Sequence, residues 1–152
     1  MAFVQPDMVD LFYQTILNDS ILKATEGLAI EKIVDRKALA STSSPGNKRI
    51  MISKSRCGPF NWNCGGFSGQ GIEYVKIETV VKTVEDQENA EEICTSLKAR
   101  MKTILFSAQF LGTGWLYHRE VQDQFPSIPM KTRAYHILVY EVTCSMGSKV
   151  DP

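Results

Sequence analysis

The stretch Ile72–Phe106, I-E-Y-V-K-I-E-T-V-V-K-T-V-E-D-Q-E-N-A-E-E-I-C-T-S-L-K-A-R-M-K-T-I-L-F, decides the fold. In its first half Val75, Ile77, Thr79, Val81 and Thr83 form one mostly apolar row, and Lys76, Glu78 and Lys82 fall on the other. That period of two predicts a strand over Ile72–Val84 in a sheet with one buried face and one wet face. From Gln87 onward, Ala90, Ile93, Cys94, Leu97, Met101, Ile104 and Leu105 recur at steps of three and four. They define one stripe of a helix, Gln87–Phe106, that should lie on the sheet. Asp86 is placed to cap this helix. Glu88, Glu91 and Glu92 sit where the helix dipole favours anions, and Lys98, Arg100 and Lys102 sit toward the opposite end.

Upstream, Asp7 opens a first helix through Met8, Phe12 and Ile16, which Asn18 and Asp19 end. Ser20 can cap one further short turn, with Gly27 as a left-handed terminator. Leu28–Val34 and Arg49–Ser55 read as strands, separated by a Ser-, Pro- and Gly-rich segment over about 38–48 that is expected to be a mobile loop. The segment 56–71 contains five glycines, Phe60, Trp62 and Phe67, and two cysteines. It is expected to be a long loop, of a length that is either functional or disordered. Downstream, Trp115–Val121 and Arg133–Cys144 read as strands, the second central because both of its rows are apolar. Pro126 and Pro129 interrupt the ladder between them, and 145–152 reads as a polar tail. The whole chain, 1–152, is expected to be a single α+β domain: a mainly antiparallel sheet with two principal helices packed on it.

Charge is balanced at seventeen basic and seventeen acidic residues, so no global field favours nucleic acid or an anionic membrane. No apolar run reaches the ~18 residues that span a bilayer, and Met1–Asp10 lacks the basic and apolar regions of a signal peptide. A protein made in a cytoplasm, with no membrane partner, is the expectation.

Four cysteines, Cys57, Cys64, Cys94 and Cys144, are expected as free thiols in such a compartment, with a Cys57–Cys64 bridge open if the medium oxidises it. Cys57 and Cys64 with His118 and His136 could in principle form a zinc set. Their spacing, however, matches no common knuckle. A thiol enzyme would need one cysteine beside a histidine base, and no third orienting residue is suggested. The glycine-rich segment lacks the phosphate-loop string and runs into a strand instead of a helix. Nor do its aromatics alternate with Lys or Arg as a nucleic-acid surface requires. No catalytic residue, metal or cofactor is therefore expected. Contact with a protein partner suits the exposed aromatics better. Phe60, Trp62 and Phe67, with Arg49, Lys54 and Arg56 beside them, are the candidate contact residues.

The element order, and the cadence of V-K-I-E-T-V-V-K-T-V-E-D, N-A-E-E-I-C-T-S-L-K-A-R-M and Y-H-I-L-V-Y-E-V, resembles the tail-terminator (tail-completion) proteins of tailed bacteriophages. The likeness covers most of the chain and carries no catalytic signature. It implies a structural virion protein assembled in the host cytoplasm. The protomer would form a ring, usually a hexamer, at the head-proximal end of the tail, capping the tail tube and joining it to a head-completion or neck protein. Sequence-specific nucleic-acid binding forms no part of that role. Another head–tail connector or neck adaptor ring, and a small Cys/His-dependent enzyme, are the alternatives. The segment 56–71 matches nothing in the family pattern.

Overall fold

The computed structural model describes residues 2–4, 7–34, 47–62, 68–84 and 88–149. In chain order the elements are β1 (Ala2–Val4), α1 (Met8–Leu17), α2 (Ser20–Ala24), β2 (Leu28–Ile33), β3 (Lys48–Trp62), β4 (Ser68–Lys82), α3 (Ala90–Phe106), β5 (Trp115–Gln124) and β6 (Arg133–Lys149). The six strands form one sheet in the order β2, β3, β4, β6, with both β5 and β1 on the far side of β6. All pairings are antiparallel except β2 with β3. This is the expected α+β architecture.

Period-two patterning sets which face is covered. Val75, Ile77 and Val81 of β4, Ile50 and Ile52 of β3, and Ala134, Leu138, Val142 and Cys144 of β6 turn to the same side. There they meet Met8, Phe12 and Ile16 of α1 and Ala90, Cys94, Leu97, Met101 and Leu105 of α3 in one core. The helical stripe of period 3.6 and the sheet row of period 2 thus bury each other.

The caps follow local chemistry. Asp7 accepts from the Asp10 N–H at 3.0 Å and starts α1 as expected. Asp19, not Ser20, caps α2, accepting from the Leu22 N–H at 3.1 Å. The cap of α3 is Asn89, whose side chain accepts from the Glu91 N–H at 3.1 Å, so the helix begins at Ala90 instead of Gln87. Asp86 lies outside the described residues. Gly27, at φ 73°, makes the left-handed turn into β2.

Two expectations are corrected. Most of the segment read as a long loop, 56–71, is strand: β3 runs to Trp62, β4 starts at Ser68, and Trp62 pairs with Gly69. Register shifts between Lys54 and Arg56 and between Cys57 and Phe60 bend this hairpin extension. A Cβ on Gly58 would lie 2.9 Å from the Ile72 Cβ, so a glycine there answers to close strand approach and not to loop freedom. The polar tail is likewise strand as far as Lys149, because Gly147, Ser148 and Lys149 pair with Val4, Phe3 and Ala2 of β1. The other expected loop, 38–48, lies outside the described residues up to 46, and Lys48 opens β3.

Candidate interaction surfaces

All three helices pack on one face of the sheet, and among the described residues nothing covers the other. That open face is built from Glu31 and Ile33 of β2, Arg49, Met51 and Ser53 of β3, Tyr74, Lys76, Glu78 and Val80 of β4, Tyr135, Ile137, Val139 and Glu141 of β6, and Arg119 of β5. Pairs across strands and along β4 bring its charges together. Arg49 grips Glu31 through Nε and Nη2 at 2.8 and 2.5 Å, Lys76 reaches Glu78 at 3.3 Å, and Arg119 reaches Glu141 at 3.2 Å. Tyr135 donates its hydroxyl to Glu78, and burial, then that carboxylate, push the phenol pKa up. Tyr74 donates to Glu141 at 3.1 Å, and the Arg56 guanidinium stacks over the Tyr74 ring at 4.3 Å. Lys82 and Arg133, directly opposite each other at one end of the face, are exposed and have no carboxylate partner among the described residues.

On the helix side, two histidines occupy polar islands in the core. His118 sits among Phe12, Phe110, Trp115 and Tyr140. Trp115 Nε1–H donates to His118 Nδ1 at 2.9 Å, so the ring proton resides on Nε2, which donates to the Leu105 carbonyl at 2.6 Å. Both nitrogens are thereby used, and the last turn of α3 is tied to β5. His136 is fully buried and meets Asp123 at 2.6 Å. Burial outweighs this carboxylate and lowers the His136 pKa. For Asp123, burial opposes ionisation, but hydrogen bonds from Lys102, His136 and Lys98 together hold its carboxyl well below the usual range.

An open cavity of about 670 Å³ between the end of α3 and β5 is lined by Lys102, Thr103, Phe106, His118, Arg119, Glu120 and Tyr140. Several of its polar side chains are already engaged: Lys102 is bound to Asp123 and Glu120 at 2.7 and 3.1 Å, His118 is doubly engaged, and burial raises the Tyr140 pKa.

The two histidines of the candidate metal or thiol set do not come together. His118 lies opposite Val142 on β6, six residues from His136 on that strand. At the strand rise, the two are roughly 20 Å apart, far beyond what one zinc ion bridges. Burial pushes the Cys94 thiol up to about 11 and the Cys144 thiol up to about 12, so neither is a thiolate nucleophile at neutral pH. Cys64 and the side chain of Cys57 lie outside the described residues.

Of the candidate contact residues, Arg49 and Arg56 are on the open sheet face. Lys54 falls on the helix side, its Nζ 3.5 Å from the buried Glu73 carboxylate. The backbones of Phe60 and Trp62 run in β3, but their side chains, and all of Phe67, lie outside the described residues. Sequence reasoning missed the open face as a unit. Its signal was present in the even row of β4, but only strand pairing shows which charges from four other strands join it.

No protein-family model matches the chain, and no curated protein matches it. Among solved structures it is similar to a chain of the "Virion of native gene transfer agent (GTA) particle". The TM-score is 0.60 at 12% identity, over 88% of this chain and 91% of the other. At that identity the likeness is one of fold.

Proposed function

We propose that this chain is a structural protein of a tailed phage or phage-like virion, and more particularly a tail terminator. One observation carries this reading: the fold matches a virion subunit over nearly the full length of both chains. The sequence cadence of β4, α3 and β6 points the same way.

In this role the protomer repeats head to tail in a ring, and closure removes the open end at which a tail tube keeps adding subunits. Six moderate contacts, made together on a tube of matching symmetry, give an attachment far stronger than any one of them. The opposite rim of the ring receives the neck or head-completion protein. The sheet supplies a rigid frame, and the β3–β4 hairpin extension, with Phe60, Trp62 and Phe67, supplies reach toward a neighbour.

Imaging of particles carrying a label on this subunit tests the reading. A labelled ring at the head-proximal end of the tail is the expected result, and absence of the subunit from purified particles overturns it. A label on the head side of the joint instead supports a connector ring, the competing assignment that the same fold likeness supports.

A further inference from the structure

We propose that the open sheet face is one half of a head-to-tail contact between copies of this chain, and that it receives the acidic shoulder of α3 on the neighbouring copy. The proposal deepens the ring reading above and rests on it.

The described open face carries Arg49, Arg56, Lys76, Lys82, Arg119 and Arg133 against Glu31, Glu78 and Glu141. Each carboxylate is held by a cation on the same face, which leaves Arg56, Lys82 and Arg133 in surplus. Like charges directly opposite across two strands, as Lys82 and Arg133 are, repel, and an anion between them would relieve that cost. The chain itself is neutral, so the balancing charge lies elsewhere on it. The opposite layer holds it: Glu88, Glu91 and Glu92 are exposed at the start of α3. Among the described residues, Glu88 meets Lys48 at 3.8 Å, and Glu91 and Glu92 form no ion pair. The helix cap is Asn89, so Glu91 and Glu92 are free of capping duty.

Apolar surface and area point to the same occupant. Met51, Val80, Ile137 and Val139 lie between the charges on the open face and are shielded only by their neighbours on the sheet. From Tyr74 to Lys82 and across β2 to β6 the face spans roughly 20 by 25 Å, about 500 Å² in projection and so the larger part of the ~800 Å² that one side of a standard interface contributes. The exposed side of α3 beyond its acids is Thr95, Ser96, Ala99 and Thr103, short side chains that permit close approach. Two unlike patches of opposite sign, on opposite layers of one domain, make a heterologous contact, the kind that builds a ring when its rotation closes.

Purified protein is the test, with mass in solution measured by light scattering. Lys82→Glu/Arg133→Glu makes both patches acidic, and Glu91→Lys/Glu92→Lys makes both basic. Each double variant is expected to keep the wild-type circular dichroism and to fall from ring mass to protomer mass, its dissociation constant raised about tenfold or more. An equimolar mixture is expected to regain ring mass with the two variants alternating, and about 0.5 M salt should weaken the wild-type ring.

The contact is overturned if either double variant still forms rings alone, or if the mixture stays at protomer mass. Variants that keep the ring but no longer bind tail tubes assign the face to the tube, which overturns this contact and leaves the ring reading standing. A wild-type protein that stays at protomer mass overturns both.

Discussion

Asp123 binds the imidazole of His136 at 2.6 Å, and that imidazole is fully buried. The same carboxylate takes Lys98 and Lys102 of α3 at 3.3 and 2.7 Å. One side chain therefore joins the helix to β5 and β6. With Nε2–H donated to Asp123, His136 is neutral in the folded protein, and burial lowers its pKa.

The pH dependence follows from these directions. The unfolded chain protonates this histidine below about pH 6.5, before the folded chain does, so its contribution is full above that pH and is lost as pH falls. The depressed Asp123 adds a second loss below about pH 4. Urea unfolding should therefore show stability falling from pH 7 to pH 5, with a shallower slope in His136→Gln, whose amide still donates to Asp123. An unchanged slope in that variant would remove His136 from the account.

Asp19 has two tasks at once. It caps α2 through the Leu22 N–H and takes Arg100 of α3 in a fork, at 3.0 Å to Nε and 2.6 Å to Nη2. Asp19→Ala should cost about 1 kcal/mol for the cap alone and more for the lost tie between the two helices. Asp19→Asn should recover the cap but not the ion pair. Chemical denaturation separates these contributions: the difference between the two variants reads the cap, and wild-type stability in Asp19→Asn would show that the fork contributes nothing.

His118 is a tie and not a base. His118→Leu should leave the Trp115 N–H and the Leu105 carbonyl without a partner and cost about 2 kcal/mol. Measured in a Trp62→Phe background, so that Trp115 alone reports, the fluorescence should change together with stability. Wild-type stability in His118→Leu would contradict the arrangement.

Phe60 and Trp62, whose backbones run in β3, and Phe67 are the aromatic contact residues proposed from the sequence. Replacing Phe60, Trp62 and Phe67 by Ala should leave the circular dichroism and monomer core intact and weaken binding to tail tubes, read as tube-bound protein in a pelleting assay. Undiminished binding would show that these aromatics are dispensable.

The sequence made the central unit legible because its signals were local. Val75, Ile77 and Val81 fall at period two, Ala90, Cys94, Leu97, Met101 and Leu105 at the helical period, and Asp7 is a cap within reach of its own helix. What escaped was non-local or subtle. Nothing near Ser145–Lys149 signals a strand, because its partners, Ser68–Gln70 and Ala2–Val4, lie far away in the chain. In the segment 56–71, glycine density suggested a loop, whereas pairing with β6 and close approach at Gly58 keep much of it in the sheet. Asn89 and Asp86 are both good cap residues, and propensity alone could not choose between them. The open face is a product of strand order, which periodicity does not encode. Arg49 and Arg56 were singled out for position in the chain, while Lys82 and Arg133 meet only through the β4–β6 register.

The central claim, that this protein ends tail growth, is tested most directly by the tail-length distribution, in electron micrographs, of particles assembled without it. The account predicts overlong tails or tails lacking heads. Tails of normal length, joined to filled heads, would contradict it.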